Sequence, residues 1–306
     1  MKRTIKSYLG VTLRGLAMGA ADVVPGVSGG TIAFITGIYE EFLNSLKSIN
    51  LDVVKTLKSD GIANAWKQIN GNFLVALFAG IGISIISLAK GISFLLKTYP
   101  ILLWAFFFGL IIASSIVIAK KITKWSAGTI ISLTVGAAIA FYITVATPAQ
   151  TPEATWFVFL SGMVAICAMI LPGISGSFIL LLMGKYAFII NSLSTFNIKV
   201  IITFALGCIA GLLSFSHVLS WMFKKYYNLT IALLTGFMIG SLNKVWPWKL
   251  TTQWRTNSHG EQVPFLQESI LPSAHEGEAL LLPAILLAVV GFILIIVMEK
   301  FSKQEA

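Results

Sequence analysis

The stretch PGVSGGTIAFITGIYEEFLNSL, residues 25–46, returns 147 positions later as PGISGSFILLLMGKYAFIINSL, residues 172–193. Pro25, Gly26, Ser28, Gly29, Gly37, Tyr39 and Asn44 are among the positions that find the same residue in the second copy. The chain around these copies is 57% hydrophobic and 11% charged, against about 25% charged in soluble domains. Too few polar side chains remain to cover a water-facing surface, and the apolar runs reach membrane-spanning length, about 20 residues. A long-range repeat in such a chain predicts a membrane protein of two related halves, an architecture common among transporters.

The spacing predicts a short apolar helix over 8–24 and a second over 28–46, separated by the Pro-Gly break. A polar, amphipathic insertion follows at 47–71, then spans at 72–96, 100–119 and 126–147. The second half repeats the plan with helices at 156–171 and 175–193, then spans at 200–222, 229–246 and 280–298. Past the first insertion the repeat continues 127 positions apart, with Gly80, Lys97, Tyr99 and Gly109 meeting Gly207, Lys224, Tyr226 and Gly236. The halves are therefore 1–150 and 151–306, with a polar loop at 247–279. The fold class is an all-α polytopic membrane protein, each half a helical hairpin (8–46 and 156–193) plus three transmembrane helices. Each half makes an odd number of crossings, so the second enters from the opposite side: an inverted-topology repeat. The short arms favour re-entrant hairpins.

Charge gives the orientation. Lys2, Arg3, Lys6, the lysines of 47–71, the Lys120-Lys121-Lys124 turn and the Lys224-Lys225 turn fall on one side. Glu153, Glu261, Glu268, Glu276 and Glu278 fall on the other, against Lys249 and Arg255. The positive-inside rule puts both termini in the cytoplasm; Lys90 and Lys97 go against it. The net charge of +10 thus reports orientation and not nucleic-acid binding. Arg14 interrupts the apolar part of the N-terminal segment, which reads as mature protein and not as a signal peptide. Cys167 and Cys208 read as two thiols in apolar runs, with no disulfide or metal framework.

The two breaks are the expected site. Ser28 is a natural N-cap, and Gly29, Gly30 and Thr31 are small enough for their N–H groups to approach a ligand. Ser175, Gly176 and Ser177 repeat the design. Two half-helix N-termini meeting near the midplane offer an anion site without a charged side chain; the alternative is a Gly/Pro kink for close helix packing. Substituting Gly29 or Gly176 by Leu is expected to block the approach of an anion. Arg14 and Asp22 share a face of the first helix, two turns apart. Arg14 supplies charge for an anion or snorkels to the interface. Asp22 pairs with a base or carries a proton; Glu40 or Glu41 could do so instead. Tyr39 and its match Tyr186 are gating candidates. Lys185 reads as an interfacial anchor, as do Trp246, Trp248 and Trp254.

With GAADVVPGVSGGTIAFITGIYE and LPGISGSFILLLMGKY in hand, the whole chain resembles the polyprenyl-phosphate transporter family of prokaryotic membrane proteins. The resemblance implies translocation of undecaprenyl phosphate across the bacterial cytoplasmic membrane, returning the cell-wall carrier lipid inward. It implies a polyprenyl phosphate lipid and the bilayer as partners, no cofactor and no enzymatic activity; oligomeric state stays open. The first alternative is an undecaprenyl-pyrophosphate phosphatase. Its PG-x-S-R-S motif is absent, because Gly29 and Gly176 stand where the arginine would be, and no E-x-x-x-E occurs in the first arm. The second alternative is a carrier of a small soluble anion.

Overall fold

The computed structural model describes residues 4–24, 27–256 and 262–304. Pro25 and Gly26 lie outside the described residues. The first half begins with α1 (Ile5–Val23), α2 (Gly29–Ile35) and α3 (Tyr39–Lys47). Two short helices, α4 (Leu51–Ser59) and α5 (Ile62–Gln68), form the insertion, and α6 (Gly71–Thr98), α7 (Pro100–Ala119) and α8 (Ala127–Val145) follow. The second half is α9 (Thr155–Ile170), α10 (Gly176–Leu182), α11 (Tyr186–Ser194), α12 (Ile198–Lys225), α13 (Tyr227–Ser241) and α14 (Leu281–Gln304). Among the described residues α6, α7, α8, α12 and α14 are long and apolar enough to cross a membrane; α9 and α13 are shorter apolar helices. The chain is a multi-pass, mostly helical membrane protein.

Inside a bilayer, helices gain no hydrophobic energy from each other and associate by close packing at small residues. That rule sets the helix pairs here. A Cβ on Gly15 would strike the carbonyl of Leu77, and one on Gly80 the carbonyl of Thr12, so α1 and α6 pack backbone to backbone. The same contact joins α9 to α12, with Gly162 against Phe204 and Gly207 against Phe159. Every residue of this second contact is the repeat partner of one in the first, 147 positions on for α9 and 127 for α12. Gly109 and Gly291 join α7 to α14, and Gly136 and Gly236 join α8 to α13. Gly291 meets Phe106, and Gly136 meets Leu233, the repeat partner of Phe106. The repeat therefore runs on into α8 and α14, 155 positions apart, a register the sequence alone did not reveal. Each half's last helix packs on the other half, which ties the two together.

Three expectations need correction. The arms 28–46 and 175–193 are not single helices. Gly37 (φ 74°) and Gly184 (φ 64°) end α2 and α10 in left-handed turns. Ile38 N–H donates to Ala33 and Lys185 N–H to Leu180, completing the same Schellman cap twice. The chain bends by 108° between α10 and α11. The polar loop 247–279 contains an antiparallel hairpin, β1 (Lys249–Thr256) with β2 (Gln262–Ser269), so the chain is not wholly α. Trp246 and Trp248 are not lipid anchors. Their indole N–H groups donate to Ile270 and Ala279 at 2.8 Å and fasten the strands to the helix ends, while Trp254 remains exposed.

The helix pairing yields a direct test. Gly80→Leu or Gly207→Leu overpacks a backbone contact and should cost about 1–3 kcal/mol. Gly82 has nothing within 4 Å of its Cβ position, so Gly82→Leu should leave the detergent melting temperature unchanged.

Candidate functional site

A helix leaves its last carbonyls without intrahelical donors, and inside a membrane no bulk water replaces them. α9 ends at this kind of site, and the first half supplies its donors. Ser28 Oγ lies 3.1 Å from the carbonyls of both Met169 and Leu171, and Tyr39 Oη donates to Ile170 at 3.2 Å. In return Gly173 N–H donates to Thr31 Oγ1 at 3.1 Å. Gly30 lies against the Ile170 carbonyl so closely that a Cβ there would collide with it. Ser28, Thr31 and Tyr39 are each almost wholly buried. The two breaks thus meet, with the hydroxyls of one satisfying the backbone of the other.

The N-terminus of α2 is already occupied by the protein. Asp22 Oδ1 accepts the Gly29 N–H at 2.7 Å, and Ser28 Oγ accepts the Gly30 N–H at 3.1 Å in the expected cap. A carboxylate therefore sits where the sequence places an incoming anion. The expected vacancy at Gly29 is also narrower than the motif suggests. A Cβ on Gly29 would lie 2.5 Å from Asp22 Oδ2 and 2.9 Å from the Met18 carbonyl. A Cβ on Gly176 would lie 2.5 Å from the Ala165 carbonyl. Leucine at either position breaks helix packing before it meets any ligand, so these substitutions do not isolate binding.

The second break differs in state although it matches in sequence. Ser175 holds the N-cap position of α10 without a capping bond, and its hydroxyl pairs instead with Ser177 Oγ at 2.9 Å. All of α2 is buried, whereas in α10 only Gly176 and Leu180 are, and Ser177 is exposed. The amphipathic helices after each turn show the same asymmetry. α3 packs on the end of α12, where Asn44 Oδ1 accepts from Ser220 Oγ at 3.1 Å and Phe34, Tyr39 and Phe223 cluster. A cavity of about 130 Å³ remains there, lined in part by Glu40, Asn44, Ser220 and Lys224. At the matching end of α6, α11 makes no comparable contact. Lys90, Ser93, Phe94 and Lys97 line an open cleft of about 430 Å³ instead. Ser93 and Lys97 are the repeat partners of Ser220 and Lys224.

The remaining sequence candidates fall as follows. Arg14 is part-buried on α1, and Tyr186 part-buried at the start of α11. Glu41 accepts from Asn70 Nδ2 at 2.8 Å, and Glu40 is exposed at the smaller cavity. Lys185 is not an interfacial anchor. It is 2% exposed, donates to the Thr151 carbonyl at 2.8 Å and lies between the rings of Phe157 and Phe188, pegging the loop before α9 to the turn after α10. Sequence reasoning missed the cations that stand over the half-helices. Lys121 Nζ is 5.2 Å from the Phe34 ring of α2, and Lys244 Nζ 4.0 Å from the Phe178 ring of α10. Both follow the last turn of equivalent helices, α7 and α13. The repeat did not point to them, because at its 127-residue offset Lys121 falls on Trp248 and Lys244 on Val117.

The asymmetry predicts unequal responses. Ser28→Ala removes a cap and a donor to buried carbonyls and should cost about 1–2 kcal/mol. Ser175→Ala loses neither and should shift the melting temperature much less.

A family model described as undecaprenyl phosphate translocase-like matches residues 18–263. A Vibrio cholerae protein named polyprenyl-phosphate transporter is 49% identical over 304 residues, 97% of this chain and 98% of that one. A Staphylococcus aureus protein of the same name is 31% identical over 253 residues, 77% of this chain and 85% of that one. No solved structure is a significant match.

Proposed function

The chain belongs to the undecaprenyl phosphate translocase-like family, and on that premise we propose that it carries undecaprenyl phosphate across the bacterial cytoplasmic membrane, returning the lipid to the inner leaflet. The near full-length identity to a protein named polyprenyl-phosphate transporter carries this reading. Transport, and not phosphate cleavage, is its content. Both termini lie in the cytoplasm, with α4 and α5 resting on the inner surface through exposed Val54, Leu57, Ile62 and Trp66.

The mechanism follows from halves 1–150 and 151–306 acting as an inverted repeat that exchanges conformations. Two inequivalent arrangements of matched elements support this: α3 closed on α12, and α11 apart from α6. The α3–α12 end faces the cytoplasm and is shut, while the other half's end is open to the outside. The phosphate meets Ser175, Gly176 and Ser177 first. As the halves exchange states, the headgroup takes the Gly29, Gly30 and Thr31 end of α2 and displaces the Asp22 carboxylate. Ser28 and Tyr39 then release the α9 carbonyls, and Tyr186 closes the opposite end. Arg14 adds charge for the phosphate. Asp22, freed from the Gly29 N–H beside a like charge, takes up a proton and couples transport to the proton gradient; Glu40 and Glu41 line the exit. The prenyl chain stays in lipid throughout.

Labelled undecaprenyl phosphate placed in one leaflet of proteoliposomes tests the reading: the protein should accelerate its appearance in the other leaflet. Movement of inorganic phosphate instead would favour a soluble-anion carrier. Under an imposed pH gradient wild type should respond and Asp22→Asn should not; a full response from Asp22→Asn removes Asp22 as the coupling residue. In a background of Cys167→Ser and Cys208→Ser, a short thiol-specific cross-linker joining Asn44→Cys to Ser220→Cys should stop transport, and reductive cleavage of that linker should restore it.

A further inference from the structure

Among the described residues, two lysines at the β-hairpin end of the molecule have no acidic partner. Lys244 lies in the turn after α13 and Lys249 opens β1. The Lys244 ammonium has the Phe178 ring at 4.0 Å, and no hydrogen-bond acceptor for it is found among the described residues. The Lys249 ammonium stands 4.2 Å from the Trp104 ring and donates to the Lys244 backbone carbonyl. Among the described residues no carboxylate lies within ion-pair distance of either. Burial pushes Lys244 down to about 8 and holds Lys249 well below the usual ammonium range, with the Lys244 charge adding to the effect on Lys249.

A ring face offsets only part of the cost of desolvating a cation. Lys185 shows what a structural peg looks like in this protein, with a carbonyl acceptor at 2.8 Å and two ring faces. Among the described residues Lys244 has the Phe178 ring and no acceptor. Phe178 directly follows Ser177, so the Lys244 ammonium stands over the same tip of α10 that presents the Ser175–Ser177 hydroxyl pair. Two neighbouring ammonium groups match the one to two negative charges of a phosphomonoester. The Phe178 and Trp104 rings offer apolar wall for the first carbons of the chain it is attached to.

We propose that Lys244 and Lys249 form a docking site for the phosphomonoester headgroup of a prenyl lipid, at which it is held next to the second break at the β-hairpin end. The proposal rests on the transport reading and adds to it a binding station that neither Pro-Gly motif contains. An arriving phosphate supplies the missing counter-charge and favours the charged form of both lysines.

The test uses the full chain in nanodiscs, titrated calorimetrically with farnesyl phosphate, with farnesol and inorganic phosphate as controls. Wild type should bind farnesyl phosphate and not farnesol. Lys244→Gln and Lys249→Gln should each weaken binding about tenfold, with Lys→Arg at each position restoring it. Removing an uncompensated charge should leave the melting temperature equal or higher. Gln variants that bind as wild type overturn the proposal. So do Gln variants that melt lower and are not rescued by Arg, which would make the lysines structural. Equal binding of inorganic phosphate overturns the lipid as the source of the anion. Transport of undecaprenyl phosphate in proteoliposomes separates the two claims. A silent wild type defeats the transport reading. An active wild type matched in KM by the double Gln variant defeats the docking site alone.

Discussion

The structure depends on satisfying broken backbone where water is scarce. Each half interrupts its first helix, and each interruption strands carbonyls or N–H groups whose burial without partners is costly. The solution is mutual. Ser28 and Tyr39 serve the carbonyls of Met169, Ile170 and Leu171, Thr31 serves the N–H of Gly173, and Asp22 serves that of Gly29. Hydroxyls and one carboxylate make these contacts. Around them the glycine-paired helices, α1 with α6 and α9 with α12, pack backbone to backbone.

Near-identical motifs sit in unequal surroundings. α2 is sealed and α10 is partly open; α3 is docked on α12 and α11 is not docked on α6. A repeated sequence has no local reason to adopt two states, so the difference arises from how the halves are placed against each other. If the two placements are close in energy, modest differential binding exchanges them.

The outer spans were legible because long apolar runs between Gly, Pro and Lys turns carry their own signal; α7 begins and ends where the sequence placed it. The Ser28 cap was legible for the same local reason. Gly37 and Gly184 were visible as repeat partners, yet their left-handed turns were not, since a glycine within an apolar run also suits a continuous helix. The β-hairpin was hidden by bulges that disrupt its alternation near Thr251 and Gln253. Asp22 was singled out, but its partner, the Gly29 N–H, is a backbone group that no side-chain pattern reveals. Lys244 fell within the span expected over 229–246 and Lys249 within the polar loop 247–279, and nothing in one dimension shows them folding back onto Phe178 and Trp104.

The central claim is that the two ends of the molecule open in alternation. Pulsed electron-paramagnetic-resonance distances test it most directly, in lipid vesicles and with Cys167 and Cys208 replaced by serine. One label pair joins α3 to α12 through Lys47→Cys and Lys224→Cys. The other joins α6 to α11 through Lys97→Cys and Ala187→Cys. On adding undecaprenyl phosphate the account predicts a new population in which the α3–α12 distance lengthens while the α6–α11 distance shortens. Two distances that stay fixed, or that change in the same direction, would contradict it.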